Sequence, residues 1–145
     1  MHTIKNNLLL LKTICYTSNP KRELSILELE ALYDSSKRNN DKLSITGILV
    51  LHNNIFFQIL EGEETVVNTL YQKIKKDPRH KNINEVLNFS IKEKTFNEFG
   101  VGYSIIKNMG ALYAFQEYVD YVSENHKKHS SFFSNIISNL LSSPA

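Results

Sequence analysis

The chain has 145 residues, of which 41% are hydrophobic and 22% charged, values typical of one globular domain and not of a disordered chain. Its formal net charge of +2 is too small to indicate a nucleic-acid partner, and no apolar stretch reaches the roughly 18–20 residues of a membrane span. A single cysteine, Cys15, excludes an internal disulfide, so that we expect a soluble, cytoplasmic protein.

Residues 8–17 predict the first strand, because they are apolar and partly β-branched and are followed by Ser-Asn-Pro, a sequence that usually ends a strand. A helix is predicted next. Ser25 and Glu28 have the spacing of a capping box, and apolar residues recur at helical intervals to about residue 40. One side of this helix is therefore expected to face the core.

Two apolar runs, residues 45–52 and 55–60, are separated by a pair of asparagines. A two-residue asparagine link between apolar runs is typical of a β-hairpin, so that the runs are predicted as the second and third strands. A second amphipathic helix is predicted over residues 64–76, where an Asp-Pro pair stops it, and two more strands over residues 83–91 and 99–105.

This order of elements predicts an α+β, ferredoxin-like βαββαβ fold with an additional fifth strand. In such a fold two helices cover one face of an antiparallel sheet. Helical periodicity over residues 111–122 and 130–141 predicts two C-terminal helices as well. We therefore divide the chain into a compact domain, residues 1–106, and a helical extension, residues 107–145, that caps the sheet.

Sequence patterns of the common enzyme classes are missing from the chain. It has no P-loop, no glycine-rich dinucleotide-binding motif and no G-x-S-x-G nucleophile turn. Its five histidines form no metal-binding pattern with carboxylates or thiols. The sequence therefore predicts neither a hydrolase nor a metalloenzyme, and we expect no enzymatic activity.

Four polar side chains stand in apolar surroundings. Tyr16 ends the first apolar run, Asn39 and Asn40 end the first amphipathic helix, and Gln58 lies inside the run Phe-Phe-Gln-Ile-Leu. A buried glutamine needs partners for two N–H donors and a carbonyl acceptor, and leaving them unmet is destabilising. From the residues alone, either neighbouring protein groups or a bound ligand could supply those partners.

The sequence resembles the BLUF family, whose members sense blue light using FAD. The resemblance extends over about residues 8–104, with Tyr16 upstream of four segments: Ser36-Lys37-Arg38-Asn39-Asn40, Ile45-Thr46-Gly47-Ile48-Leu49, Phe56-Phe57-Gln58-Ile59-Leu60-Glu61-Gly62 and Asp77-Pro78-Arg79-His80. It implies that residues 1–106 form a flavin-binding photosensory domain. FAD is the implied cofactor, with FMN and riboflavin as alternatives.

The resemblance also implies roles for individual residues. Tyr16 matches the photoactive tyrosine that gives an electron and a proton to the excited flavin, and Gln58 matches the glutamine that faces flavin N5 and O4. Asn40 matches the asparagine that hydrogen-bonds flavin O4 and N3. The other implied flavin contacts are Ser36, Lys37, Asn39, Arg79 and His80.

The implied mechanism is a change of hydrogen bonds. Tyr16 passes on an electron and then a proton, relayed through Gln58, and the radical pair recombines. The Gln58 amide is left rotated or tautomerised, with a stronger hydrogen bond to flavin O4, which shifts the absorption to the red. Because no covalent bond to the flavin forms, the state is expected to revert in the dark.

The chain departs from the family on the last strand. That strand often carries a tryptophan and then a methionine near the glutamine, and the corresponding positions here are Phe99 and Val101. The chain contains no tryptophan, so that a signalling model based on a tryptophan flip does not apply. We expect Phe99 and Val101 to relay the signal, with the photochemistry of Tyr16 and Gln58 preserved.

The expected partners follow from the resemblance to short members of the family, which commonly act by light-dependent binding to another protein. We therefore expect a downstream signalling protein, a homo-oligomer formed through the apolar C-terminal helices, and no direct contact with nucleic acid or membrane. Two alternatives are a flavin-free ferredoxin-like interaction module and a flavin-dependent redox enzyme. The sequence contains no substrate or nicotinamide motif for the latter.

Overall fold

A computed structural model describes residues 10–52, 54–92 and 103–106 together with positions 110, 113 and 116. In this part of the chain the strands and helices are, in order, β1 (Leu11–Pro20), α1 (Ile26–Lys42), β2 (Thr46–His52), β3 (Ile55–Glu63), α2 (Glu64–Lys75), β4 (His80–Ile91) and β5 (Tyr103–Ile106). The order agrees with the sequence prediction.

The five described strands form one sheet in the order β4-β1-β3-β2-β5. β1 pairs antiparallel with β3 and β4, β2 pairs antiparallel with β3, and β5 lies parallel to β2 at one edge. The first four strands have the order of the ferredoxin-like fold, and β5 is the additional strand. The predicted fold class is therefore confirmed.

The start of α1 is held by the predicted capping box. Ser25 Oγ accepts a hydrogen bond from the backbone N–H of Glu28 at 3.1 Å, and the Glu28 carboxylate accepts one from the backbone N–H of Ser25 at 2.9 Å. These bonds satisfy donors that the first helical turn leaves open. The helix consequently begins at Ile26.

The end of α1 is tied to the start of β2. The backbone carbonyl of Asn40 accepts hydrogen bonds from the N–H groups of Leu43, at 3.2 Å, and Ile45, at 2.9 Å. Between them Ser44 adopts a left-handed conformation with φ of 56°, which turns the chain out of the helix. The helix ends at Lys42, slightly beyond its predicted end.

The first strand ends later than predicted. Ser-Asn-Pro predicts its end, yet β1 continues to Pro20, because its last two residues pair with Lys81 and His80 of β4. Proline lacks an N–H donor but is compatible with the end of a strand. β4 correspondingly begins earlier than predicted, and Tyr16 lies inside β1 and not at its end.

β2 and β3 form the predicted hairpin. His52 pairs with Ile55, and Asn54 in the connecting turn has a φ of 62°, a conformation that asparagine tolerates. Within β2, Gly47 has a φ of 141° and its backbone lies against the backbone of Ile59 in β3. The close approach of the two strands at this point leaves no room for a Cβ atom.

Side chains alternate along the strands, so that the sheet has a helix face, which α1 and α2 cover, and an outer face on the other side. The core of the helix face consists of Ile14, Tyr16, Tyr33, Ile45, Leu49, Phe56, Leu60, Val67 and Tyr71. The outer face carries the alternate residues, of which Thr13, Cys15, Thr46, Ile48, Val50, Phe57, Ile59 and Glu61 are buried. Both faces are therefore buried, although both described helices lie on one of them.

Some predicted features lie outside the described residues. These are Phe99, Val101 and, apart from the helical positions 110, 113 and 116, the two C-terminal helices of residues 107–145. In the ranges that the structure describes, no helix has the length and apolar character needed to cross a membrane. Cys15 is a free cysteine that is fully buried in the sheet.

Candidate functional site

A cavity of about 1060 Å³ lies between the helix face of the sheet and the two helices. It is lined by seven of the eight residues predicted as photoactive or flavin-binding, namely Tyr16, Ser36, Asn39, Asn40, Gln58, Arg79 and His80. The eighth, Lys37, does not line the cavity, and its ammonium group is ion-paired with Asp41 at 2.9 Å on the exposed side of α1. The fold thus brings most of the predicted site residues together.

Tyr16 and Gln58 face each other on neighbouring strands. They are paired in the antiparallel register of β1 and β3, so that both side chains leave the sheet on the helix face. Gln58 Nε2 donates a hydrogen bond to the Tyr16 hydroxyl oxygen, and the two residues are only 4% and 5% exposed. The pair is a buried polar contact on the wall of the cavity.

The proton of the Tyr16 phenol is held tightly. Burial is the main cause that raises the pKa of Tyr16 well above its usual value. The hydrogen bond from Gln58 acts in the opposite direction, because an N–H donor stabilises the phenolate, whereas Tyr71 and Asp77 raise the pKa further by charge repulsion. Tyr16 is therefore a neutral phenol at physiological pH, and oxidation of the ring is a way to release its proton.

Asn39 and Asn40 belong to the last turn of α1, next to the cavity. Asn40 is 4% exposed and lines the cavity. The backbone carbonyl of Asn40 is anchored just before β2, which fixes the position of this residue at the cavity, while Asn39 is exposed at the rim.

His80 links β1 to α2 at the end of the cavity. Its Nε2 lies 2.6 Å from the backbone carbonyl oxygen of Ile74, and its Nδ1 lies 2.8 Å from Ser18 Oγ. A carbonyl oxygen only accepts, so that Nε2 carries the hydrogen and, in the neutral ring, Nδ1 accepts from the serine hydroxyl. The imidazole stands edge-on to Tyr16, with ring centroids 6.3 Å apart, and holds that side of the wall.

Two arginine–carboxylate pairs lie at the rim of the cavity. Arg22 donates to Glu28 through both terminal nitrogens, and Arg79 donates to Asp77 through Nε at 3.0 Å and Nη2 at 2.6 Å. The hydrogen bonds from Arg22 lower the pKa of Glu28 to about 2, and those from Arg79 lower the pKa of Asp77 below its usual range. The rim therefore stays charged over the physiological pH range.

The sequence interpretation misses most of the charged side chains that line the cavity: Lys21, Arg22, Glu28, Arg38, Lys73 and Asp77. Arg38 and Asp77 stand inside the segments that carry the family resemblance, which is a signal that could identify them. The others gain their position from the packing of the loop after β1 and of the two helices around the cavity, which no local pattern indicates.

The residues of the cavity fit a flavin ring. Its walls combine apolar side chains, among them Leu49, Phe56 and Ile74, with the amides of Asn40 and Gln58. A planar ring with apolar faces and one polar edge matches this combination of apolar walls and few convergent polar groups. Within the described ranges, no group of three or more His, Cys, Asp or Glu side chains is placed to hold a metal ion.

Comparison with known protein families identifies the same region of the chain. A sequence model of the family described as BLUF, sensors of blue-light using FAD, matches residues 11–102. The photoactivated adenylate cyclase subunit beta of Euglena longa is 40% identical over 86 residues, which are 59% of this chain and 10% of that subunit.

Two further relatives agree with this match. The blue light- and temperature-regulated antirepressor BluF of Escherichia coli is 37% identical over 78 residues, 54% of this chain and 19% of that protein. The structure of Klebsiella pneumoniae BlrP1 with FMN and cyclic diGMP superposes with a TM-score of 0.69 at 27% identity, covering 89% of this chain and 35% of BlrP1. The chain therefore spans about a third or less of the length of each of these relatives.

Proposed function

The chain belongs to the BLUF family of blue-light sensors that use a flavin cofactor, and from that premise we propose that Tyr16 and Gln58 are its photoactive pair. Light-driven loss of an electron and a proton from Tyr16 changes the orientation or tautomer of the Gln58 amide. The new hydrogen bonds are the signalling state, which is shifted to the red and reverts in the dark. The buried hydrogen bond between the two side chains on the cavity wall carries this proposal.

Gln58 is suited to switching because Tyr16 tolerates either end of its amide. A tyrosine hydroxyl both donates and accepts, so that it accepts from the Gln58 N–H in the present arrangement and donates to the carbonyl oxygen when the amide is reversed. The two arrangements present opposite ends of the amide to the cavity. In a buried site of low dielectric, such an exchange reaches the roughly 1–3 kcal/mol typical of allosteric coupling.

The flavin, when bound, supplies the absorption of blue light and the acceptor for the electron of Tyr16. We assign FAD to the cavity, with the Asn40 and Gln58 amides on its polar edge and Ser36, Asn39, Arg79 and His80 as further contacts. The basic side chains at the rim suit the phosphates of FAD or FMN, whereas riboflavin has none. Lys37 receives no support from the geometry, because its ammonium group pairs with Asp41 outside the cavity.

The output is proposed to be light-dependent binding to a downstream signalling protein. The names of two relatives, an adenylate cyclase subunit and an antirepressor, support a sensor that acts on an effector. We retain Phe99 and Val101 as the proposed relay, and residues 107–145 as a helical cover of the sheet and the proposed surface for a homo-oligomer. The burial of Phe57 and Ile59 on the outer face supports such a cover.

Absorption spectra of the purified protein in darkness and directly after blue light test the proposal. We expect a flavin spectrum with a small red shift that reverses in the dark. Tyr16→Phe and Gln58→Ala are expected to retain the flavin and to lose the shift, because each removes one side of the buried hydrogen bond. Tyr33→Phe, which removes another buried phenol hydroxyl, is the control and is expected to shift normally.

Two results contradict the proposal. A normal red shift in Tyr16→Phe would mean that another residue is the photoactive donor. A protein that binds no flavin, even after refolding with FAD, returns the chain to the alternative of a ferredoxin-like interaction module. Light scattering in the dark and in the light measures the oligomeric state independently of the spectrum.

A further inference from the structure

A second buried tyrosine lies against Tyr16 on the side away from the cavity. Tyr71 of α2 is 3% exposed, and its ring centroid lies 5.7 Å from that of Tyr16, with the ring planes inclined by 38°. This distance is within the range of direct aromatic contact. Tyr71 does not line the cavity, and the proposed photoactive pair makes no use of it.

The carboxyl group of Glu85 on β4 lies close enough to the phenol of Tyr71 to affect its titration. Burial is the main cause that raises the pKa of Tyr71 above its usual value, and the Glu85 carboxylate raises it further. Asn88 Nδ2 donates to Glu85 Oε1 at 3.2 Å and holds the carboxylate in place. Glu85 is exposed, so that its carboxylate joins a buried phenol to solvent.

A β-bulge places Glu85 beside the two tyrosines. In the pairing of β1 with β4, Cys15 is opposite Leu87 and the next residue, Tyr16, is opposite Glu85, which leaves Val86 as the extra residue. Regular pairing would put Val86 opposite Tyr16 and Glu85 on the outer face. The bulge thus brings a proton acceptor to the helix face at the position of Tyr16.

We propose that Tyr71, with Glu85 as its proton acceptor, is a second redox-active tyrosine that takes the oxidising equivalent from Tyr16 and competes with the rearrangement of Gln58. This inference rests on the proposed function, because the oxidising equivalent comes from the light-driven oxidation of Tyr16. Electron transfer from Tyr71 is then a competing path that lowers the yield of the signalling state per absorbed photon.

The step is balanced in electrons and protons. Oxidised Tyr16, which still holds its phenol proton and carries one positive charge, receives an electron from Tyr71. The O–H bond of Tyr71 breaks and its proton moves to the Glu85 carboxylate. The products are a neutral Tyr16 phenol, a neutral Tyr71 phenoxyl radical and a neutral Glu85 carboxylic acid, so that the total charge stays zero. The electron that Tyr16 lost on illumination returns to Tyr71, and the proton returns from Glu85, which restores the initial state.

Two features of the site determine how readily Tyr71 gives an electron to oxidised Tyr16. The step removes a positive charge from a buried ring, and the accompanying proton transfer leaves no new buried charge, which favours it. The Lys75 ammonium group acts against it, because it lies 4.6 Å from the centroid of the Tyr71 ring and disfavours loss of an electron from that ring. Replacing Glu85 should therefore slow electron transfer from Tyr71 to Tyr16, whereas replacing Lys75 should accelerate it.

The yield of the red-shifted state per absorbed photon tests the proposal in the flavin-loaded chain. Tyr71→Phe and Glu85→Gln are each expected to raise the yield, by up to about twofold if the two paths have equal barriers. Lys75→Met is expected to lower it, since Tyr71 then loses an electron more readily. The double variant of Tyr71 and Glu85 should match either single variant, because both remove the same path.

Two further measurements separate this role from packing. In the dark, the NMR signal of the hydroxyl-bearing ring carbon of Tyr71 should move in Glu85→Gln, which reports the interaction of the two side chains without any photochemistry. Under illumination at low temperature, electron paramagnetic resonance should detect a tyrosyl radical that Tyr71→Phe removes and Tyr33→Phe retains.

The outcomes distinguish this inference from the function on which it rests. A parent protein that shifts normally, with an unchanged yield in Tyr71→Phe and no radical assigned to Tyr71, overturns the competing path and leaves the photoactive pair intact. An effect of Tyr71→Phe that Glu85→Gln does not reproduce also overturns it, since the ring alone would then matter. A parent protein without any red shift overturns both.

Discussion

The two faces of the sheet are built from the same strands but differ in polarity and in what they contact. On the helix face Tyr16 and Gln58 form a polar pair beside a cavity, whereas the adjacent residues Cys15, Phe57 and Ile59 are fully buried on the outer face. Because side chains alternate with a period of two, a shift of one residue along a strand separates the two sets. The residues that stabilise the sheet and those proposed to sense light are therefore neighbours along the strand that point in opposite directions.

The difference also concerns how buried polar groups are satisfied. Gln58 donates to Tyr16 on the helix face. On the outer face, the buried hydroxyls of Thr13 and Thr46 have no hydrogen-bond partner within the described ranges, and they lie on the two strands that pair with β3 at Glu61. Substitutions on the helix face should therefore change the spectrum more than the stability, and substitutions on the outer face the reverse.

The largest effect is expected from Gly47→Ala, which disrupts both faces together. An added Cβ would lie 2.8 Å from the backbone carbonyl carbon of Ile59 and closer still to its oxygen, at a φ of 141° that alanine rarely adopts. We expect a loss of more than about 4 kcal/mol in the free energy of unfolding, or no folded protein. Urea denaturation measures this loss. Gly62→Ala is the milder comparison, because its Cβ would lie 3.3 Å from side-chain atoms of Ile45 and Val67, which can shift, and 3.7 Å from Ile45 Cα.

Phe57→Ala is expected to weaken the outer face alone. Phe57 is fully buried, and its truncation should lower the free energy of unfolding by about 3–5 kcal/mol. The folded fraction should retain the flavin and the red shift. The same substitution at Phe56, which lines the cavity, is the matched control and should impair flavin binding. Loss of the red shift in folded Phe57→Ala would show that the two faces are not independent.

A smaller effect of opposite sign is expected from Thr13→Val. Among the residues that the structure describes, the buried Thr13 hydroxyl has no hydrogen-bond partner, so that replacing it by a methyl group should raise the free energy of unfolding by about 1 kcal/mol. Thermal unfolding of the variant and of Thr46→Val, its counterpart on β2, measures this change. Destabilisation by both substitutions would indicate that the outer face needs these hydroxyls and is not simply apolar.

The smallest effect concerns the rim of the cavity, which belongs to neither face. The hydrogen bonds from Arg22 lower the pKa of Glu28 from its usual 4.5 to about 2, so that the pair stabilises the fold above pH 4.5 and loses this contribution as the pH falls towards 2. The melting temperature of the parent should fall more over this range than that of Glu28→Gln. Glu23→Gln is the control, and an equal fall in parent and Glu28→Gln would show that the exposed pair contributes nothing.

The fold was predictable to a large extent because its signals are local. The capping box of Ser25 and Glu28 and the asparagine turn before Ile55 both occur where the sequence predicts them. The end of β1 was not predictable from its neighbours. Pairing of Pro20 with His80 extends the strand through a sequence that favours a stop, and a tertiary contact overrides the local preference.

For the site, the sequence predicts the residues but not their arrangement. Gln58 stands out as an amide in an apolar run, and the resemblance supplies a partner, yet the in-register pairing with Tyr16 depends on the alignment of β1 with β3. Lys37 shows that a residue's place in the matched segment does not determine whether its side chain faces the cavity. Ser36 and Asn39 line the cavity, whereas the Lys37 ammonium group pairs with Asp41. The direction of a helical side chain follows from how the helix docks.

By itself the sequence determined the order of strands and helices, the capping box of α1, the asparagine turn, the flavin family and the candidates for a photoactive pair. These depend on patterns within a few residues or on segments in a fixed order. Only the tertiary structure decided that Tyr71 and Glu85 join Tyr16. Those residues come from α2, β4 and β1, and they meet because a bulge at Val86 turns Glu85 to the helix face. Bulges and helix docking are set by packing between distant segments, which no local pattern records.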